Sequence, residues 1–151
     1  MSMVFPYRRF RLKSPVLTLG GRAERPRPVL DVGIIGPMGS RVLPSLLDTG
    51  ADDTIFPATL AATLGIDLSQ APAVAAAGVG LVPVIVRLAE VTLRIAAGKE
   101  RREWRAGVAF SPVPLRQPLL GFAGFLQYFT ATFHGDREEV ELAVNSLYPG
   151  I

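Results

Sequence analysis

The chain contains no cysteine and a single histidine, His134. Without cysteine there is no disulfide framework, no thiolate zinc site and no thiol nucleophile. One histidine cannot build a histidine metal site, and the neighbouring Gly135 places His134 in a predicted turn, where a solvated role is favoured over a Ser-His-Asp triad. We therefore expect neither a metal nor any other cofactor.

Long apolar runs are also missing. The longest uncharged stretch, residues 68–86, is interrupted by glycines and prolines, so it does not predict a membrane helix. The basic residues between Arg8 and Arg11 interrupt any early apolar region, so no signal peptide is predicted. The sequence predicts a soluble, cytoplasmic protein with no membrane partner.

Lysine is scarce, because only Lys13 and Lys99 are lysines among the 16 basic residues. The formal charge is +3, and arginines cluster near the beginning of the chain, where Phe5, Tyr7 and Phe10 lie among them. A nucleic-acid site would use such aromatics for stacking. Solvated arginine faces with packed aromatics are favoured, so we do not expect a nucleic-acid partner. A role for this segment towards an acidic partner, or as a removable or regulatory arm, stays open.

The apolar content is sufficient for one hydrophobic core, since 49% of the 151 residues are apolar. The 15 glycines and 13 prolines predict many turns and short strands rather than long helices. We expect residues 1–27 to be an N-terminal extension with one short strand at residues 16–19 and a basic loop at residues 22–28. Residues 28–151 are expected to form a single domain.

Alternation of apolar and polar residues predicts the strands. Strands at residues 29–35 and 41–47 flank a turn at residues 36–39, so that the second strand ends at Asp48. Further predicted elements are a short helix at residues 57–64, antiparallel strands at residues 87–96 and 104–110, and a closing hairpin of residues 130–134 and 138–144.

The most informative segment is the run LLDTGADDT at residues 46–54. A carboxylate at the end of an apolar strand is costly unless hydrogen bonds or a cation hold it, so Asp48 needs partners. Gly50 allows backbone to approach that carboxylate closely, and Thr49 offers a hydroxyl that both donates and accepts. Taken alone, however, an Asp-Thr-Gly tripeptide is more often an ordinary turn.

Two later segments add to this motif. Residues 77–81 are punctuated by Gly78 and Gly80 and lie between apolar runs, which suits either an ordinary hairpin or a lid that changes backbone conformation. Pro118 begins a Pro-Leu-Leu-Gly segment that leads into a predicted short helix within residues 122–129. Considered by itself, this segment predicts only a buried junction between a strand and a helix.

The run LLDTGADDT resembles, residue for residue, the catalytic loop of lentiviral retropepsins, and the order of loop, glycine-rich hairpin and Leu-Leu-Gly junction is similar to that family over residues 29–133. The resemblance implies an all-β fold, a retropepsin-like closed β-barrel of the acid-protease fold, with one lobe per chain, short helices after the catalytic loop and near the C-terminus, and a flap hairpin. It implies that Asp48 is catalytic and is supported by Thr49 and Gly50. The substrate-binding residues implied are Ala51, Asp52, Asp53 and the flap tip Gly78, Val79 and Gly80. The residues implied to pack behind the loop are Leu119, Leu120 and Gly121.

Such chemistry needs two carboxylates that share a proton, yet the chain has a single Asp-Thr-Gly motif and no internal repeat. The resemblance therefore implies a homodimer that cleaves extended, largely apolar peptides. A non-catalytic peptide-binding or dimerisation module on the same fold remains an alternative. One position departs from the family, because Phe122 stands where lentiviral enzymes have an arginine that pairs with the equivalent of Asp52. Asp52 would then need Arg27, an arginine of a partner chain, or solvent.

Overall fold

The computed structural model describes residues 2–77 and 82–151. Its strands are β1 Ser2–Pro6, β2 Arg8–Val16, β3 Arg22–Arg27, β4 Val29–Gly36, β5 Gly39–Leu47, β6 Ile55–Pro57, β7 Ala73–Ala77, β8 Pro83–Ala97, β9 Glu100–Ser111, β10 Leu119–Leu120, β11 Phe129–His134 and β12 Glu139–Val144. The helical elements are α1 Ala58–Thr63 and the short 3₁₀ turns Leu17–Leu19 and Leu126–Tyr128.

Six strands close into a barrel in the order β4-β5-β10-β6-β9-β8, because β8 also pairs with β4. The long strand β8 uses one end to pair with β7 and the other to pair with β4, so β7 extends beyond the barrel as part of a hairpin. At the centre, β10 runs parallel to β5 and antiparallel to β6. This arrangement confirms the prediction of an all-β, closed-barrel fold.

The barrel interior is filled from one face of each strand, as the alternation predicts. Val32 and Ile34 of β4 are fully buried, whereas Asp31, the residue before Val32, is exposed. Trp104 on β9 is 2% exposed and makes edge contacts with the rings of Phe125 and neighbouring aromatics, at a centroid distance of 5.4 Å for Phe125. The indole NH also donates to a backbone carbonyl, so its one polar atom is satisfied.

The N-terminal segment differs from the prediction. Instead of one strand and a basic loop, its first 27 residues contain three strands, and the segment predicted as a loop is β3. The predicted strand at residues 16–19 is the end of β2 followed by a 3₁₀ turn, which Gly20 closes at a φ of +65°. Pairing partners explain the difference, because β2 pairs with β3 whereas β1 pairs with the distant β12. The domain boundary at residue 27 stays a prediction.

The helical predictions were met in part. Helix α1 lies within the predicted residues 57–64 and is followed by Gly65 at a φ of +71°. The helix predicted within residues 122–129 is only the 3₁₀ turn Leu126–Tyr128. Gly124 has a φ of +89°, a left-handed conformation that prevents a helix from beginning earlier. In the part of the chain that the structure describes, no helix is both long and apolar enough to cross a membrane.

Candidate active site

The carboxylate of Asp48 lies directly after β5 and is oriented by its own loop. The backbone NH of Gly50 donates to Asp48 Oδ1 at 2.9 Å, and the NH of Ala51 donates to the Asp48 carbonyl at 3.1 Å. A Cβ on Gly50 would lie 3.3 Å from Oδ1, so the close approach expected of this glycine is present. Asp48 is half-buried while Thr49 is exposed, so the carboxylate is accessible from outside this single chain.

The Leu-Leu-Gly segment is the support behind this loop. Leu119 and Leu120 lie opposite Leu46 and Leu47 in the parallel pair, and the NH of Asp48 donates to the Leu120 carbonyl at 3.1 Å. The end of β5 and the Leu-Leu-Gly segment, which are far apart in the sequence, are therefore hydrogen-bonded to each other through the backbone of Asp48.

Gly121 lies against the backbone of the loop itself. A Cβ at this position would overlap the Asp53 carbonyl and would lie 2.7 Å from the Ala51 carbonyl oxygen. The next two residues continue the contact, because the NH groups of Phe122 and Ala123 donate to the carbonyls of Ala51 and Asp52, each at 2.9 Å. Only a residue without a side chain fits this position, which gives the glycine of the Leu-Leu-Gly segment a steric role.

Thr54 is a supporting residue that sequence analysis did not single out. It is fully buried, and its hydroxyl donates to the Ala123 carbonyl at 2.9 Å. Its own carbonyl accepts from the NH of Ala109 on β9 at 2.8 Å, so Thr54 joins the loop to both the Leu-Leu-Gly segment and the barrel. A threonine within an otherwise polar loop gave only a weak signal, because its burial depends on strands that come later in the chain.

Trp104 supplies a second support that the sequence did not identify. Its indole NH donates to the Gly124 carbonyl at 3.0 Å, just beyond the Leu-Leu-Gly segment. The carbonyl of Gly107, on the same strand, would collide with a Cβ on Gly124 at 2.7 Å. The only tryptophan of the chain therefore fixes the turn that carries Ala123 and Gly124 against the barrel.

The surface beside the loop contains a carboxylate and a large apolar side chain. Asp52 is exposed, and no cation of the described residues lies within 4.0 Å of it, so the pairing with Arg27 considered from the sequence is not formed within one chain. Phe122, where the sequence resemblance implies an arginine, is 61% exposed. Asp53 is half-buried and forms an isolated parallel bridge with Ala123.

The predicted flap tip, Gly78, Val79 and Gly80, lies outside the described residues. The two arms that lead to it are described, since β7 pairs with the beginning of β8 and Ala77 lies opposite Pro83. Val82 and Ile85 on the second arm are 74% and 55% exposed. The arms thus present apolar side chains at the surface.

Neither of two concave regions in the described part of the chain is lined by Asp48. One, of about 280 Å³, lies between the end of β6 and the segment after β9, with Pro57 and Val113 among its lining residues. The other, of about 460 Å³, lies in the N-terminal segment. No group of three or more carboxylate and imidazole side chains that could hold a metal ion occurs within residues 2–77 and 82–151.

The described part of the chain thus combines a closed six-stranded barrel with an Asp-Thr-Gly loop that is backed by a Leu-Leu-Gly segment. No protein-family model matches the chain, and no curated protein sequence matches it. Among solved structures, it is similar to a retropepsin-like aspartic protease from Rickettsia conorii, with a TM-score of 0.57 and 15% identity over 94% of this chain and 90% of that one. EIAV protease in complex with the inhibitor HBY-793 matches with a TM-score of 0.48 and 23% identity, over 63% of this chain and 81% of that one. The chain has the retropepsin-like fold, and the resemblance seen in the sequence is confirmed at the level of fold.

Proposed function

We propose that the protein is an aspartic endopeptidase that works as a homodimer, with one Asp48 from each chain. The observation that carries the proposal is the half-buried Asp48 carboxylate, which accepts a hydrogen bond of 2.9 Å from the NH of Gly50 at the end of an apolar strand. The retropepsin-like fold supports it, as does the Leu-Leu-Gly segment, which pairs with the strand that ends at Asp48.

The chemistry follows from bringing two such carboxylates together. At about 3 Å and an effective dielectric near 20, two carboxylates repel by roughly 5 kcal/mol, so the pair retains one proton near neutral pH. The ionised carboxylate takes a proton from water, whose oxygen attacks the peptide carbonyl carbon, while the protonated one donates to the carbonyl oxygen. Collapse of the tetrahedral intermediate then transfers a proton to the departing amine and leaves a carboxylic acid.

Dimerisation is part of the proposal because one chain supplies only one Asp-Thr-Gly loop. A two-fold axis beside that loop would place both Asp48 carboxylates together. The exposed side chains of Thr49, Asp52 and Phe122 lie on or beside the loop and would be covered by a partner there. Burying a 61% exposed phenylalanine would contribute to the stability of such a dimer.

The proposed substrate is an extended, largely apolar peptide segment lying as a strand between the loop and the flap. The exposed apolar side chains of Val82 and Ile85 on the flap arm support this choice. We propose that Ala51, Asp52 and Asp53 contact the face of the substrate strand that lies on the Asp48 loop. The proposed flap residues Gly78, Val79 and Gly80 would contact its opposite face. The cytoplasmic location expected from the sequence stays a prediction.

The decisive experiment compares Asp48→Asn with Asp136→Asn. Both substitutions remove one carboxylate, but Asp136 lies in an exposed turn between β11 and β12. Purified wild-type protein and Asp136→Asn should cleave unfolded protein and apolar peptides, with cut sites identified by mass spectrometry. Asp48→Asn should retain the fold and the dimer but lose cleavage, because an amide cannot share the proton of the pair.

The alternative, a non-catalytic peptide-binding module on the same fold, makes a different prediction. Wild-type protein would then bind extended peptides without cutting them at any pH from acidic to neutral, and Asp48→Asn would bind them equally well. Cleavage by Asp48→Asn at the wild-type rate would instead remove Asp48 from the mechanism.

A further inference from the structure

The segment from Arg8 to Arg27, here called the basic hairpin, consists of β2, the 3₁₀ turn and β3. It forms its own two-stranded sheet, separate from the hydrogen bonds of the barrel. It contains a single acidic residue, Glu24, and the basic residues Arg8, Arg9, Arg11, Lys13, Arg22, Arg25 and Arg27. Its formal charge is therefore +6, and because the whole chain has +3, the rest of the chain carries −3. Positive charge is concentrated on this one element.

Three of these cations have structural partners. Arg8 lies 3.2 Å from the carboxylate of Asp31 on β4. Arg9 and Arg22 both contact the carboxylate of Glu138, which ties the basic hairpin to the turn before β12. These ion pairs connect the hairpin to β4 of the barrel and to the turn between β11 and β12.

The other four cations of the basic hairpin form no ion pair with a described carboxylate. Within residues 2–77 and 82–151, no carboxylate lies within 4.0 Å of Arg11, Lys13, Arg25 or Arg27. Glu24 lies opposite Arg11 in the register but does not approach it within that distance. Unneutralised cations on one element produce a positive potential that attracts an anionic partner.

Two of the four cations line the same concave region. This depression of about 460 Å³ has Lys13 and Arg25 in its wall, together with the hydroxyl-bearing Ser14 and Thr18. Leu17, also in the wall, is 88% exposed. Two cations and two hydroxyls provide charge and hydrogen-bond partners for carboxylates, and the leucine provides an apolar contact.

The basic hairpin is also connected directly to the candidate active site. Strand β3 ends at Arg27, and the carbonyl of the following Pro28 accepts from the NH of Leu47 at 2.9 Å, one residue before Asp48. Strand β3 has six residues and therefore spans about 20 Å. The hairpin extends over that distance from the end of β3 that lies next to the active-site loop. A substrate polypeptide that extends about that far beyond the Asp48 loop reaches the hairpin.

We infer that the basic hairpin is an exosite, which binds an acidic segment of the protein substrate outside the cleaved region. This inference rests on the proposed function. An acidic polypeptide fits better than nucleic acid because the aromatics of this region do not offer free stacking surfaces. Phe10 is half-buried, and Tyr7 packs against the core while burial raises the pKa of its hydroxyl. Both outer edges of the two-stranded sheet lack a strand partner in the described part of the chain, so an extended peptide also has backbone groups to pair with.

The binding test uses the full-length Asp48→Asn protein, so that no ligand is cleaved. Fluorescence anisotropy measures the affinity for a labelled poly-glutamate peptide and for a labelled single-stranded oligonucleotide. The variant Lys13→Glu/Arg25→Glu is compared with Arg41→Glu/Lys99→Glu, which changes the net charge equally at exposed cations outside the hairpin. We expect the first pair to weaken peptide binding about tenfold and the second less than twofold, with binding that falls as salt is added.

The cleavage test uses wild-type catalytic residues and two substrates with the same apolar segment, one flanked by glutamates and the other by glutamines. The acidic flank should lower KM about tenfold at unchanged kcat, and Lys13→Glu/Arg25→Glu should abolish that difference while still cleaving the glutamine substrate. Absence of any cleavage would contradict the proposed function, whereas the binding test would still decide whether the hairpin holds acidic peptide. Equal losses in both charge variants, tighter binding of the oligonucleotide than of the peptide, or equal KM for the two substrates would overturn the inference.

Discussion

Replacing Gly121 by alanine tests whether the Leu-Leu-Gly segment sets the position of the Asp48 loop. The added Cβ would overlap the Asp53 carbonyl and would lie 2.7 Å from the Ala51 oxygen, and both obstacles are backbone atoms rather than flexible side-chain ends. Relief therefore requires movement of the loop that holds Asp48. Overpacking of this kind costs about 1–3 kcal/mol in the free energy of unfolding.

The assay combines thermal unfolding with cleavage. For a domain of this size each kcal/mol corresponds to about 2–4 °C, so Tm should fall by about 4–8 °C for a cost near 2 kcal/mol. Cleavage should fall by at least about 100-fold, because a displacement of about 1 Å at a catalytic group has that effect. The loss of activity should therefore exceed what the fraction of unfolded protein explains at the assay temperature.

Gly107→Ala is the matched control, because a Cβ there meets nothing within 4 Å and its strand conformation suits any residue. It should leave Tm and cleavage unchanged or raise Tm slightly. If Gly121→Ala behaved like Gly107→Ala, the close packing behind the loop would not be what positions Asp48, and the reasoning would be refuted.

Three other substitutions test separate contacts. Trp104→Phe should lower the free energy of unfolding by about 2–4 kcal/mol in denaturant titration, because it removes the hydrogen bond to Gly124 and leaves a space in the core; a change below about 1 kcal/mol would contradict this. The hydrogen bond from Arg22 holds the pKa of Glu138 in the folded protein below its ordinary value of 4.5. The ion pair therefore stabilises the fold above pH 4.5, and this stabilisation is lost as the pH falls through the lowered pKa of the folded protein. Glu138→Gln should accordingly lower Tm at neutral pH, with the difference from wild type narrowing below about pH 4.5; a difference that is constant with pH would argue against the ion pair. Phe122→Ser should raise the dimer dissociation constant in sedimentation experiments without lowering Tm of the isolated chain, and an unchanged constant would exclude Phe122 from the interface.

The sequence by itself determined the local features of this protein. The alternation in residues 29–35 and the turn at residues 36–39 predicted β4 and β5, and the composition of the Asp48 loop predicted both the end of β5 and the close approach of backbone at Gly50. These features depend on side-chain periodicity and on turn preferences, which act over a few residues. The resemblance carried by the same loop predicted the barrel.

Only the tertiary structure decided how distant segments meet. It made Arg22–Arg27 a strand instead of a loop, paired β1 with β12, and buried Thr54 against the Ala123 carbonyl. Among the described residues, it also separated Asp52 from any cation and left four cations of the basic hairpin with no carboxylate within 4.0 Å. Local patterns cannot specify such outcomes, because a strand edge, a buried hydroxyl or an ion pair depends on which remote part of the chain becomes its neighbour.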